Sequence, residues 1–502
     1  VKQTVERTTL GTGALVWAGF DGEQAPGEIL DGVRSGRIGG ILLFAIRGNV
    51  KSKQQVRAML REVQQAARAG GLPPVPVAVD QEGGQVVRVA YRAVFPSAMA
   101  IGATGEPALA ERAAQAVAQG LRADGISVNH APVCDVNVEP KNPVIGTRSF
   151  GDDPARVAAF AAAWVRGSEG AGVATTPKHF PGHGGAATDS HLKLVEIAAD
   201  RATIERRDLP PFQAAFDAGA SMVMTAHVRY PALDPDAPAT ISKAILTDLL
   251  RTRMGFTGLC VTDSLDMSGI DVDSPEHVIG RAINAGNDAV MVTSHIDRQL
   301  AAGGWIASAA SNDRIAEALG RAERFRGRFG IDVPDDDIDV PDDDIDDTPA
   351  RELAAEIAAR SITHVGPPLP RLDGRVRVVA FEPSRVSPAE ELSDPVGLLE
   401  EALRKRFGAR LVFGRRGQVP EGTGPTIVFT FNAFFDGEQG RALPALLGKH
   451  GVLVALRSPY DATLARGRPA LLTYTDVPVS LEAVAAVLGG ERAATGQLPV
   501  AL

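Results

Sequence analysis

Short apolar runs punctuate the first two-thirds of the chain. Each gives way to a longer stretch in which apolar residues return every three or four positions. The runs Ala14–Phe20, Ile38–Ala45, Pro76–Asp80, Val128–Val136, Val173–Lys178, Met222–His227, Gly258–Asp263 and Asp288–Val292 read as eight buried strands. The stretches Ser52–Ala69, Ala108–Asp124, Pro154–Gly170, Pro210–Ala218 and Lys243–Arg253 read as helices. Eight strand-then-helix units in residues 1–330 predict an α/β fold, a parallel (β/α)8 TIM-type barrel. Their uneven spacing leaves room for one or two misplaced or antiparallel strands. A helix over Asp313–Phe329, with Asp313 as its expected cap, closes this domain.

The pattern then breaks. IDVPDDD occurs twice in tandem from Ile331 to Asp344, and residues 331–350 read as an acidic interdomain linker. Its charges repel one another and its prolines exclude a helix. It lacks the glycine and the terminal glutamate of a calcium-binding EF-hand loop. Residues 351–502 resume the alternation. Helices are expected at Arg351–Ala359, Pro395–Phe407, Glu438–Lys449 and Leu481–Leu488. Strands are expected at Arg377–Phe381, Leu411–Phe413, Thr426–Phe431, Val452–Leu456 and Leu471–Tyr474. This predicts a smaller α/β sandwich domain with a mostly parallel sheet, and it carries no chemical motif.

Composition changes the picture little. The chain has 502 residues, too many for one ordinary domain, and 44% are hydrophobic, enough for sizeable cores. The net charge of -9 is local, because ten aspartates fall between 332 and 347. Without them the chain is close to neutral, so the acidity says nothing about a substrate, and no basic block suggests nucleic acid. The two cysteines, Cys134 and Cys260, sit in apolar runs and read as buried small hydrophobes rather than a disulfide. No run of about 18 apolar residues exists to span a membrane. The N-terminus does not read as a secretory signal, so the expected location is cytoplasmic, with export by a removed leader left open.

The candidate chemistry lies at the C-terminal ends of the expected strands, where barrels keep their active sites. The segment Lys178–His191, KHFPGHGGAATDSH, holds three of the nine histidines. Its glycines and prolines make it a loop. Asp189 and His191 are two residues apart in it, and a carboxylate beside an imidazole fixes the tautomer and favours the protonated form. Such a dyad could give and take a proton near neutral pH. A solvated polar loop is the plain alternative.

Asp263 ends an apolar strand and would stand at the barrel mouth. It fits either a helix cap or a nucleophile at a sugar's anomeric carbon. Asp80, Arg88, Arg148, Lys178 and His179 would ring the same opening, as salt bridges tying loops together or as a clamp on a sugar. His179 and His183 have i, i+4 spacing, but Pro181 and Gly182 disfavour the helix a metal pair needs, so no metal is expected. No phosphate-binding or dinucleotide motif occurs, and no cofactor is expected.

DQEGGQVVR, APVCDVN, NPVIGTRSFG, KHFPGHGGAATDSH, MTAHVRYPALD and GFTGLCVTDSLDM, taken together and in this order, resemble the motifs of glycoside hydrolase family 3. The similarity is to its bacterial β-N-acetylglucosaminidase (β-N-acetylhexosaminidase) branch, of NagZ type, and covers about Leu10 to Gly330. The C-terminal ATGQLPVAL is a weaker match to the family's second domain. The DSH step separates this branch from the family's β-glucosidases, whose acid/base carboxylate comes from elsewhere.

The resemblance implies Asp263 as nucleophile and His191, partnered by Asp189, as general acid/base. It implies that Asp80, Arg88, Arg148, Lys178 and His179 hold a terminal N-acetylglucosamine. The implied reaction is exo-acting and retaining. Its substrates would be peptidoglycan fragments (muropeptides) or chito-oligosaccharides, in peptidoglycan recycling or chitin degradation. A neutral imidazole does not repel an anion, so phosphorolysis with phosphate in place of water stays open. So do a non-catalytic sugar-binding protein and an acid carboxylate supplied by the second domain, for which Glu391 and Glu438 are candidates.

Overall fold

The computed structural model describes residues 10–187, 194–267, 270, 273–331, 346–383, 386–387, 390, 394–422 and 424–502. The eight expected strands all form: β1 Val16–Ala18, β2 Gly40–Leu43, β3 Val77–Val79, β4 Val128–Asn129, β5 Ala174–Thr175, β6 Met222–Thr225, β7 Leu259–Ser264 and β8 Ala289–Val292. They pair in the order β5-β4-β3-β2-β1-β8-β7-β6, and every pairing is parallel. The uneven spacing therefore conceals no antiparallel or misplaced strand. Between the outermost strands, β5 and β6, the gap is closed by backbone beyond β5. Met224 N donates to Pro177 O at 3.0 Å, Phe180 N to Met224 O at 2.8 Å and Ala226 N to Phe180 O at 2.8 Å. Trp17, Leu42, Ala78, Val128, Ala174, Met224, Val261 and Met291, one from each strand, share a single buried cluster. The barrel is thus a filled core, and a ligand must sit at its mouth.

β4 and β5 are much shorter than expected. Pro132 and Pro177 have no N–H to donate, so the ladder is interrupted there. It resumes where Lys178 N reaches Pro132 O at 3.1 Å and Cys134 N reaches Lys178 O at 2.7 Å. The expected barrel helices form within one or two residues, as at Lys53–Ala69, Pro107–Ala123 and Pro154–Gly170, except that Lys243–Arg253 is a π-helix over Ala244–Arg253. One cap differs. The closing helix is Asn312–Phe329, and its N-cap is Ser311, which accepts from Arg314 N. Asp313 lies inside the first turn, where its charge favours the helix dipole instead.

The second sheet contains β9 Thr363–Val365, β10 Val376–Ala380, β11 Leu411–Gly414, β12 Thr426–Thr430, β13 Val452–Ala455 and β14 Ala470–Leu472. Its order is β9-β14-β13-β12-β10-β11, parallel except for β9. β9 was not expected, since three residues offer too short a pattern to read. The helix Thr348–Ser361 packs Leu353, Ala354 and Ile357 against barrel residues Phe95, Phe150 and Trp164. A further cluster joins Met99 and Ala103 of the barrel to Tyr460, Leu472 and Tyr474 of the second domain. The domains are therefore packed together through apolar surface. Cys134 and Cys260 are buried free thiols.

Candidate functional site

β3 leads through Asp80 into an antiparallel ribbon of Gln81–Gly83 and Val86–Val87. Its turn needs glycine: Gly83 and Gly84 have φ of +96° and +61°, and a Cβ on Gly83 would lie 2.5 Å from Pro96 O. The glycine pair thus turns a hairpin that brings Glu82 and Arg88 to the barrel mouth. The Gln81 side chain pins it by accepting from the amides of Arg88 and Val89, both at 2.9 Å.

Six of the eight sequence candidates, Asp80, Arg88, Arg148, Lys178, His179 and Asp263, line one cavity of about 300 Å³ at the C-terminal face of the barrel. The other two, Asp189 and His191, lie outside the described residues. Lys178, 2% exposed, is held at 2.6 Å by both Asp80 and Glu82. Arg148 forms a two-pronged bond to Glu82, with both distances 2.9 Å. His179 Nδ1 lies 2.7 Å from Asp135 Oδ2, and Asp135 Oδ1 accepts from the amides of His179 and His183. Salt bridge and sugar clamp, posed as alternatives by the sequence, are therefore compatible. The cations are fixed by acids behind them, which leaves their orientation settled before a ligand arrives.

The electrostatics follow from this pairing. Burial raises the Asp80 carboxyl, but Lys178, His130 and Arg88 outweigh it and hold the group well below the usual carboxylate range. Burial likewise opposes ionisation of Glu82, yet Arg148 and Lys178 bring it down to about 2. Both acids are charged at neutral pH, so the cluster has a fixed ionisation state.

Asp263 owes its position to an irregularity in β7. Between Val261 and Ser264 the strand carries one residue more than the facing segment Ala289–Met291. The Thr262 hydroxyl accepts from Met291 N at 3.0 Å. A bulge of this kind re-aims a side chain at a strand end. Behind it, His227 Nε2 donates to Ser264 O at 2.9 Å and steadies the strand.

Four contributors were given no role by sequence reasoning. Glu82 and Asp135 carry the cations and His179, but acids that act through partners distant in the chain leave no local signal. His130 lines the cavity and is completely buried. The position directly after β4 and before Pro132 was the signal available for it. Glu390 reaches the cavity from the second domain and accepts from Val386 N at 3.3 Å and Arg457 Nη1 at 3.4 Å. Of the two second-domain carboxylates considered, Glu391 lies outside the described residues. Glu438 is exposed on the helix Gly437–Leu447 and does not line the cavity.

A second-domain chain also holds the hairpin. Arg457 binds Asp476, Asp476 accepts from Gln85 Nε2 at 3.3 Å, and Gln85 Oε1 accepts from Thr147 beside Arg148. Among the described residues, no group of three or more His, Cys, Asp or Glu side chains is placed to hold a metal.

Fold and site together define a (β/α)8-barrel enzyme with a small, polar, pre-organised pocket backed by a second α/β domain. Residues 16–321 match the glycosyl hydrolase family 3 N-terminal domain. The chain is 39% identical over 286 residues to β-hexosaminidase A of Pseudoalteromonas piscicida, covering 53% of this chain and 48% of that protein. It therefore spans about half the length of that relative. It is 37% identical over 287 residues to the β-hexosaminidase of Xylella fastidiosa strain 9a5c, covering 55% of this chain and 83% of that one. Over 99% of both chains it superposes on a family 3 β-N-acetylglucosaminidase from Paenibacillus sp. str. FPU-7, with TM-score 0.89 and 31% identity. The chain belongs to glycosyl hydrolase family 3 and is a glycoside hydrolase. No helix among its described residues is long and apolar enough to cross a membrane.

Proposed function

We propose that the chain is an exo-acting, retaining β-N-acetylglucosaminidase that removes terminal N-acetylglucosamine from peptidoglycan fragments or chito-oligosaccharides. The observation that carries this reading is Asp263, set at a strand bulge on the wall of a cavity sized for one sugar ring. Around that cavity, Asp80, Arg88, Arg148, Lys178 and His179 offer charged and polar hydrogen-bonding groups. In the proposed cycle the Asp263 carboxylate attacks the anomeric carbon. The bond to the leaving oxygen breaks, and that oxygen takes a proton from His191. Water then attacks the glycosyl ester and passes its proton to His191, and Asp263 is released as carboxylate with net retention. Asp189 holds the His191 tautomer.

Water is favoured over phosphate as acceptor. Lys178 and Arg148 are already neutralised by Asp80 and Glu82, and Asp266 and Glu390 add carboxylates to the lining. The test is product analysis with an aryl β-N-acetylglucosaminide, chitobiose and a muropeptide, each with and without phosphate. Free N-acetylglucosamine of retained configuration is expected throughout. Appearance of the sugar 1-phosphate would replace hydrolysis by phosphorolysis. Wild-type turnover by Asp263→Ala would reject the nucleophile.

A further inference from the structure

His130 is fixed at the inner wall of the cavity. Its amide donates to Val79 O at 2.8 Å, which locks the backbone between β3 and β4. The ring is completely buried and packs against Trp17, with centroids 6.2 Å apart. Nδ1 lies 3.0 Å from Thr176 Oγ1. The Thr176 hydroxyl also lies 3.7 Å from Met222 Sδ, so Nδ1 is occupied within the protein and Nε2 is the ring nitrogen left for another partner. Burial pushes the imidazole down to about 4, which keeps it neutral at physiological pH. Nε2 is buried and has no hydrogen-bond partner among the described residues. A buried polar nitrogen left unpaired is costly, and in a native protein that calls for a cause. The residue lines the same cavity as Asp80, Lys178 and Asp263.

We propose that His130 is a substrate-contacting, specificity-determining residue, whose Nε2 forms a hydrogen bond with one ring hydroxyl of the sugar bound in this cavity. The proposal rests on the reading of the cavity as a sugar site. The carboxylates of the cavity only accept, and its arginines and lysine only donate. A neutral imidazole adds an uncharged hydrogen-bonding nitrogen that a sugar hydroxyl can meet. It therefore discriminates by the presence and direction of a hydroxyl rather than by charge. A site built around such a bond penalises an analogue that lacks the hydroxyl, because the nitrogen stays unpaired.

The test is a substrate series crossed with a variant series. Aryl β-N-acetylglucosaminides lacking the 3-, 4- or 6-hydroxyl are assayed with the wild type, with His130→Phe, which keeps the ring but removes both nitrogens, and with His130→Gln, which can restore an acceptor. Thermal midpoints confirm folding. For the wild type, one deoxy position is expected to cost about tenfold in kcat/KM beyond the other two. With His130→Phe the parent substrate loses about tenfold and that extra penalty disappears, and with His130→Gln it returns in part. An equal loss on all four substrates, or a deoxy profile unchanged in both variants, overturns the assignment while leaving the glycosidase reading intact. Failure of the folded wild type to turn over any of the series overturns both.

Discussion

Two aspartates stand at opposite ends of neighbouring barrel strands, and the contrast between them explains where the chemistry lies. Asp288 sits just before β8, on the face away from the cavity, and is completely buried. Arg251 and Arg314 each reach it at 2.5 Å, Arg321 at 3.0 Å, and the amide of Cys260 donates to it at 2.9 Å. Every acceptor position is used by the protein, and the acid acts as a staple between helices and strand. Asp263 is at the far end of β7, half-buried, with the Ser264 amide at 2.7 Å and a cavity in front of it. Both are ionisable groups on rigid strands. What separates a structural acid from a candidate nucleophile is the space it faces, not its charge or its burial.

The largest expected effects test this contrast directly. Asp263→Asn should lower kcat/KM on an aryl N-acetylglucosaminide by about 10⁴-fold or more, with an unfolding midpoint close to wild type. Asp288→Asn should do the reverse. It strands three arginines, so unfolding free energy measured in urea should fall by about 3 kcal/mol while the folded fraction keeps near-normal turnover. Loss of stability in the first variant, or of turnover alone in the second, would erase the distinction.

A smaller effect concerns the acid. His191→Ala should lose about 100-fold on substrates with poor leaving groups and far less on dinitrophenyl glycosides, which need no proton. An equal loss on both would point instead to a carboxylate as the acid, such as Glu390 on the cavity wall.

The buried titratable groups of the mouth set a pH dependence. Burial pushes His130 and His183 down to about 4 from an ordinary 6.5. Their folded values lie below the unfolded ones, so the unfolded chain takes up protons first as pH falls. Stability should be constant above about pH 6.5 and decline towards pH 4, by up to about 1.4 kcal/mol per unit for each histidine. Glu82 behaves differently. Its contribution is complete above about 4.5 and is lost only as pH approaches about 2. Urea unfolding at pH 7 and pH 5 should differ by about 2–4 kcal/mol in the wild type, and by about half as much in His130→Phe. A flat profile across that window would show that the imidazoles are not held neutral by burial.

The smallest effect tests the reach of the second domain. Gln85→Ala cuts the link from Asp476 to Thr147 and should raise KM about two- to fivefold with kcat unchanged. No change in KM would make the contact a mere packing detail.

Much of the barrel was legible along the chain. Met222–Met224 and Leu259–Val261 read as strands because parallel strands covered on both faces are continuously apolar. The candidate residues were legible because polar groups that follow such runs must emerge at one rim. β9 was hidden by its shortness, and the cap at Ser311 by a neighbouring Asp313 of equal propensity. Glu82, Asp135 and His130 were hidden for a stronger reason. Glu82 gains its place from Arg148 and Lys178, Asp135 from His179 and His183, and His130 from Trp17 and Thr176, all distant in the chain.

The amino-acid order by itself determined the alternation of elements and the family motifs, since each depends on backbone preference and residue pattern over short stretches. Only the tertiary structure decided how the barrel closes through Pro177 and Phe180, which acid neutralises which cation, and which end of a strand opens on a cavity. Those outcomes depend on distances between groups remote in sequence, where burial and charge pairing act through space and leave no periodic trace along the chain.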